Sequence, residues 1–122
     1  MTTEIERTPG GAIIMNGAAL RDDTVLRLRA EIESMGLGYP TVCLATVLVG
    51  DDKPSQIYVR TKHKKAAEAG MTSTHVGLAI DATQAEVEET VRTLAADPSV
   101  HGILVQLPLP AQLDTEAVLD LV

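Results

Sequence analysis

The sequence predicts an α/β protein: an open parallel sheet of three or four strands flanked by helices, in a three-layer α/β/α arrangement. Three observations predict it. Segments with helical periodicity alternate with short apolar runs along the whole chain, which is the pattern of strands joined by helical crossovers. The run Thr41–Val49, "TVCLATVLV", is apolar and β-branched throughout, as in a parallel strand covered on both faces. Each link between strand candidates is long enough to hold a helix, as a right-handed crossover requires.

Taken in order, the segment from about Asn16 to Met35 sets Val25, Leu28, Ile32 and Met35 at three- and four-residue intervals, one face of a helix. Gly36 and Gly38 end it. After the strand Thr41–Val49, "GDDKP" breaks the chain and a second helix runs to Gly70. "THVGLAI", Thr74 to Ile80, alternates Val76, Leu78 and Ile80 with smaller or more polar residues, so it reads as a half-exposed strand near an edge. Thr83 and Glu86 have the spacing of a capping box, and Val87, Val91, Leu94 and Ala95 give the third helix its buried stripe. Pro98 stops that helix. A further strand starts near Gly102 and is cut off by Pro108 and Pro110, and Asp114 caps a last helix expected to run through Val122. Because that helix carries no stop signal and ends on Leu121 and Val122, the chain reads as the first lobe of a longer protein.

Bulk properties narrow the function. A length of 122 residues, 45% hydrophobic, suits one domain with its own core. The net charge of -7 argues against a nucleic-acid partner, since phosphate binding needs a cationic surplus. Arg60, Lys62, His63, Lys64 and Lys65 form one local basic cluster, read as a solvated face apart from Lys62. Cys43 is the single cysteine and is expected to be a buried thiol in a reducing compartment. No apolar segment is long enough to span a bilayer and the first residues lack a signal-peptide core. A cytoplasmic protein with no membrane partner is expected, with residues 1–10 as a disordered leader and 11–122 as the domain. His63 and His101 are read as surface or turn residues, because neither has a second ligand at metal spacing; no metal is expected.

The second helix carries the chemistry. On a wheel of 100° per residue, Ser55, Tyr58, Val59, Lys62, Ala66 and Ala69 share one side. Lys62 therefore lies on the face that packs. An unpaired buried ammonium is costly, so this lysine snorkels to water, finds a partner, or has its pKa lowered enough to serve as an acid or base near neutrality. The helix follows a strand of a parallel sheet, so its first two turns stand at the carboxyl rim where open α/β sheets bind ligands. Gln106 ends another strand, just before the prolines, either as a plain turn residue or facing Lys62 across the rim. The spacing Y-x-x-x-K invites comparison with short-chain dehydrogenases, but no G-x-G-x-x-G turn accompanies it.

With "VLVGDDKPSQIYVRTKHKKAAEAGM" and "GILVQLPLP" both present, the sequence from about Ala12 to Val122 resembles the amino-terminal lobe of the bifunctional methylenetetrahydrofolate dehydrogenase/cyclohydrolase family. The resemblance implies that Lys62 is the catalytic acid/base, that Gln106 hydrogen-bonds it, and that Tyr58 stacks on the folate. Ser55 is implied to line the same pocket, and Leu107 and Pro108 to belong to a folate-contacting loop. Two reactions are implied: NADP-dependent oxidation of 5,10-methylenetetrahydrofolate to the methenyl cation, and its hydrolysis to 10-formyltetrahydrofolate, a one-carbon donor for purine biosynthesis. The family's nucleotide-binding lobe, which holds NADP, and an aspartate segment that grips the pterin lie beyond these 122 residues. The resemblance thus implies a homodimer at full length, and a fragment without dehydrogenase activity and at best weak folate affinity. The rival reading is a non-catalytic α/β module that binds folate or contacts a partner protein.

Overall fold

The computed structural model describes residues 5–122. Helix α1 (Gly17–Met35) is followed by strand β1 (Cys43–Val49), helix α2 (Lys53–Glu68), strand β2 (Thr72–Leu78), helix α3 (Gln84–Ala96), strand β3 (Gly102–Val105) and the short helix α4 (Thr115–Leu119). The three strands form one parallel sheet in the order β2-β1-β3. This is the open α/β sheet that the sequence predicts, with three strands among the described residues.

Alternation along β1 divides the molecule into layers. Val47 and Val49 point to one face, where they meet Val87 and Val91 of α3, Val118 of α4, and Val105, Ala82 and Leu113 in the main core. Leu78, Leu94, Ile103, Leu109 and Leu121 close its edges. The opposite parity, with Thr46 and Leu48 as buried members, faces α2, whose own buried residues are Ser55, Val59 and Ala66. Helix α1 packs on α2 rather than on the sheet and has no fully buried residue. Its face of Val25, Leu28 and Ile32 is only half covered, and Met35 is exposed.

Helix ends follow the expected chemistry. Asn16 caps α1 through its Oδ1, which accepts from the Ala19 amide. Thr83 and Glu86 make the reciprocal capping box at α3. Asp52 caps α2, its Oδ2 accepting from both the amide and the hydroxyl of Ser55. Those bonds hold the Asp52 carboxyl below its ordinary value of 3.8. Gly70, at φ 87°, supplies the left-handed turn after α2 that lets Met71 bond back to Ala66 and feed β2.

Several expectations need correction. Residues 1–4 of the expected leader lie outside the described residues, whereas Glu6–Ile14 form a small hairpin, with Arg7 bridged to Ile13 and Ile14 donating to the Glu6 carbonyl. Strand β2 starts two residues earlier than expected and stops before Ile80, because pairing with Cys43–Val49 fixes its register at Thr72–Leu78. Ala95 is exposed, since only Val87 and Val91 of α3 reach the core fully. Helix α4 stops at Leu119 rather than Val122; Leu121 turns back onto the core, and Val122 is exposed. Cys43 is half-buried at the start of β1, and its amide donates to Nδ1 of His101. Among the described residues no helix is long and apolar enough to cross a membrane.

Two measurements check this account. In urea denaturation, Val87→Ala is expected to cost about 2 kcal/mol and Thr83→Ala about 1 kcal/mol, both moving the midpoint with an unchanged slope. Because the folded Asp52 carboxyl is depressed, its contribution is present above pH 3.8 and is lost as pH falls through the folded value. The acid limb of the stability curve is therefore expected to be shallower in Asp52→Ala than in the parent.

Candidate active site

The site sits on a step in the sheet. Strand β3 is only four residues long, and its last residue, Val105, pairs with Val47, two positions before β1 ends at Val49. The next amide, Gln106, still donates to the Val47 carbonyl at 2.9 Å. Gln106 is thereby held at strand geometry, with its side chain on the face that carries Thr46 and Leu104. That face is covered by α2.

Lys62 comes down onto this step from above. It lies ten residues into α2, roughly 13 Å along the axis from Lys53, so its third turn rather than its first two meets the shortened strand. Lys62 Nζ donates to Gln106 Oε1 at 2.7 Å. The amide's other end, Nε2, donates to the Leu107 carbonyl at 2.8 Å. Gln106 is only 7% exposed, so both of its hydrogen bonds are made largely out of water, where such bonds are strongest. Lys62 is half-buried, and among the described residues no carboxylate pairs with it. Of the three options open to this lysine, the structure gives it a partner, and a neutral one.

The other expected site residues are disposed around that pair in different ways. Tyr58, one turn before Lys62, is 56% exposed, so its ring stands free at the edge of the helix although the wheel puts it on the packing side. Ser55 is 1% exposed and its hydroxyl is spent on Asp52 at 2.6 Å; it fixes the start of α2 and does not open to the surface. Leu107 and Pro108 are exposed at the mouth of the turn after β3, where the Leu107–Pro108 peptide is cis. Pro108, Leu109 and Pro110 line a cavity of about 270 Å³ together with Val49, Gly50, Asp51, Asp52 and Ile80. A larger hollow, about 890 Å³, runs along the start of α3 between Leu78 and Thr90, away from Lys62 and Gln106.

Sequence reasoning passed over a second polar group on the same face. Thr46, fully buried in the middle of β1, has its Oγ1 2.7 Å from Nε2 of His63 and 2.8 Å from Nδ1 of His75. His63 is therefore tied into the α2–sheet contact and is not a surface residue. Burial, and then the neighbouring His75, lower its pKa from the ordinary 6.5. Strand parity was the available signal: Thr46 and His75 are paired across β1 and β2, so both side chains share the face under α2. Among the described residues no three of His, Cys, Asp and Glu converge as metal ligands would.

Known proteins resemble this chain in sequence and fold. The family model for the tetrahydrofolate dehydrogenase/cyclohydrolase catalytic domain matches residues 15–122. Among curated proteins, the bifunctional protein FolD of Rhodopseudomonas palustris (strain TIE-1) is 46% identical over 110 residues, covering 89% of this chain and 37% of that protein. FolD of Methanoculleus marisnigri is also 46% identical over 110 residues, with 90% and 38% covered. Among solved structures, the bifunctional FolD methylenetetrahydrofolate dehydrogenase/cyclohydrolase of Campylobacter jejuni superposes with a TM-score of 0.81 at 38% identity, over 84% of this chain and 36% of that one. The Trypanosoma brucei enzyme, solved with NADP cofactor and an inhibitor, gives 0.84 at 34%, over 91% and 38%. This chain spans a little over a third of the length of these relatives. On a match that takes in every element from α1 to α4, the chain belongs to the tetrahydrofolate dehydrogenase/cyclohydrolase family, whose catalytic domain it carries.

Proposed function

We propose that residues 11–122 form the folate-site lobe of a bifunctional one-carbon enzyme, with Lys62 as the acid/base of methenyltetrahydrofolate hydrolysis. The observation that carries this reading is the 2.7 Å bond from Lys62 Nζ to the buried Gln106 amide. A lysine held by a neutral acceptor and free of a carboxylate partner among the described residues keeps its amine available for proton transfer. Gln106 aims it, and the step left by β3 gives a substrate access to it.

In the hydrolytic half, water attacks the methenyl carbon while the unprotonated Lys62 amine takes the proton that the water sheds. The same amine then returns that proton to the pterin nitrogen as its bond to that carbon breaks, while the adduct's hydroxyl gives its own proton to solvent and becomes the carbonyl of the formyl group left on the other nitrogen. The substrate is a cation, so an uncharged amine approaches it without repulsion. Tyr58 offers an exposed flat ring one turn away, suited to stack on the pterin with little entropy loss. Leu107 and Pro108 supply an apolar lip. Ser55 acts from within, by fixing the start of the helix that bears Tyr58 and Lys62.

The dehydrogenase half requires NADP as hydride acceptor. The described residues do not fit that cofactor: the turn from β1 into α2 carries Asp51 and Asp52, and the Asp52 carboxylate already occupies the helix start where a phosphate would seek amides. No hydride step is assigned to this chain. NADP is expected on the nucleotide-binding lobe of the family's full-length enzymes, in the homodimeric, cytoplasmic protein that feeds purine biosynthesis.

Calorimetric titration with a non-reactive tetrahydrofolate analogue tests the binding part. Tyr58→Ala is expected to weaken binding about tenfold, as loss of one stacking surface does, and Lys62→Met to change it less than threefold. For catalysis, the disappearance of methenyltetrahydrofolate absorbance is the readout, and Lys62→Met is expected to slow it about 10² to 10⁴-fold. Binding retained in the parent with hydrolysis no faster than in buffer would instead favour the non-catalytic folate-binding module.

A further inference from the structure

The Thr46–His63–His75 cluster has no part in the chemistry above, yet it joins three elements at one buried oxygen. Consecutive helix residues are about 100° apart around the axis. Lys62 therefore leans toward β3 and Gln106, while His63 leans to the other flank, toward Thr46 of β1 and His75 of β2. A rotation of α2 by about 20° would move a side-chain tip about 5 Å from the axis by about 2 Å. That would break a 2.7 Å bond on either flank. The two attachments hold the helix against rotation from opposite sides.

Proton counting gives the cluster a second property. A threonine hydroxyl has one hydrogen to give and two lone pairs to accept with. With both rings neutral, one imidazole nitrogen donates to Thr46 Oγ1 and the other accepts from it. A first added proton is accommodated on the donating ring, at its far nitrogen, with no bond lost. A second turns the accepting nitrogen into a donor and strands the Thr46 hydroxyl hydrogen at a fully buried position. It also sets two cations with ring centroids 5.6 Å apart. Arg60, the one permanently charged residue lining the cavity of about 380 Å³ beside the rings, opposes it further; Leu48, Gln56 and Val59 complete that wall without a titrating group. Burial and His75 already hold the His63 pKa below 6.5. This contribution to stability is therefore complete above that value and is lost as pH falls through the folded one.

We propose that Thr46, His63 and His75 are positioning residues for Lys62: neutral, they fix the rotation of α2 that brings the lysine to Gln106, and doubly protonated, they release it. The inference rests on the reading of Lys62 as the acid/base, but its primary test needs no folate. In nitrogen-detected NMR of the 122-residue chain, the ring nitrogens at Thr46 are expected to be one protonated and one bare near neutrality. The Gln106 side-chain amide signals are expected to hold steady above pH 6.5 and to move as pH falls through the lowered His63 value. In His75→Asn, which keeps a polar neighbour for Thr46 but cannot ionise, those signals are expected to lose the pH step. Thr46→Val is expected to displace them at every pH; if that variant fails to fold, His75→Asn decides alone. Gln106 signals that stay fixed while both histidines titrate, or a pH step that survives in His75→Asn, overturn the proposal.

Titrating the same samples with the tetrahydrofolate analogue separates the two readings. Because rotation of α2 also displaces Tyr58, affinity about threefold lower at pH 5 than at pH 8 in the parent, and flat in His75→Asn, is the expected result. A pH-linked Gln106 in a chain that binds no folate analogue sinks the folate assignment and leaves the positioning device. Folate binding with a pH-independent Gln106 does the reverse.

Discussion

The two-residue alternation of β1 governs the rest of the molecule. Because β1 is the central strand and is paired on both sides, every side chain on it must point either to α3 or to α2. The parity holding Val47 and Val49 is lined by aliphatic residues from α3, α4 and β3. The parity holding Thr46 and Leu48 is where the polar groups gather: Gln106 from the end of β3, His75 from β2, and Lys62 and His63 from α2. One sheet face thus provides the core and the other gathers the polar side chains. A register slip of a single residue would exchange them.

That division explains why much of the architecture is legible in the sequence. The helices with paired signals, a cap residue followed by a spaced apolar stripe, are found where the residues place them: α1 after Asn16, α3 after Thr83, α2 between Asp52 and Gly70. Boundaries set by tertiary pairing are not legible. The start of β2 at Thr72 follows from its register against Cys43, and Thr72, Ser73 and Thr74 carry no apolar signal of their own. Helix α4 illustrates the same limit, since nothing local marks the stop at Leu119 that lets Leu121 fold back on the core.

The site divides along similar lines. Lys62 is conspicuous because a lysine on a packing face needs an explanation, and a glutamine at a strand end is its natural partner. The bond between them depends on a length difference, four residues in β3 against seven in β1, which no single segment reveals. Thr46 is the opposite case. Within "TVCLATVLV" a threonine reads as one more β-branched strand former, and His63 reads as part of a basic surface run. Only when β1, β2 and α2 are superimposed does one hydroxyl prove to face two imidazoles.

The amide at Gln106 follows from the two groups it must satisfy. Its oxygen accepts from the Lys62 amine at 2.7 Å and its nitrogen faces the Leu107 carbonyl at 2.8 Å. Turned over, it would set hydrogens against Lys62 and an oxygen against a carbonyl oxygen, losing both bonds. A carboxylate of the same length would keep the contact with Lys62 but repel the Leu107 carbonyl. As a buried counter-ion it would also favour the charged lysine, the form least suited to accept a proton from water. An apolar residue would leave Lys62 without a partner in a half-buried place, at the full cost of desolvation. Glutamine is the side chain of this length that donates at one end, accepts at the other and adds no charge, so the same side chain that orders the turn after β3 also holds the lysine without a counter-ion.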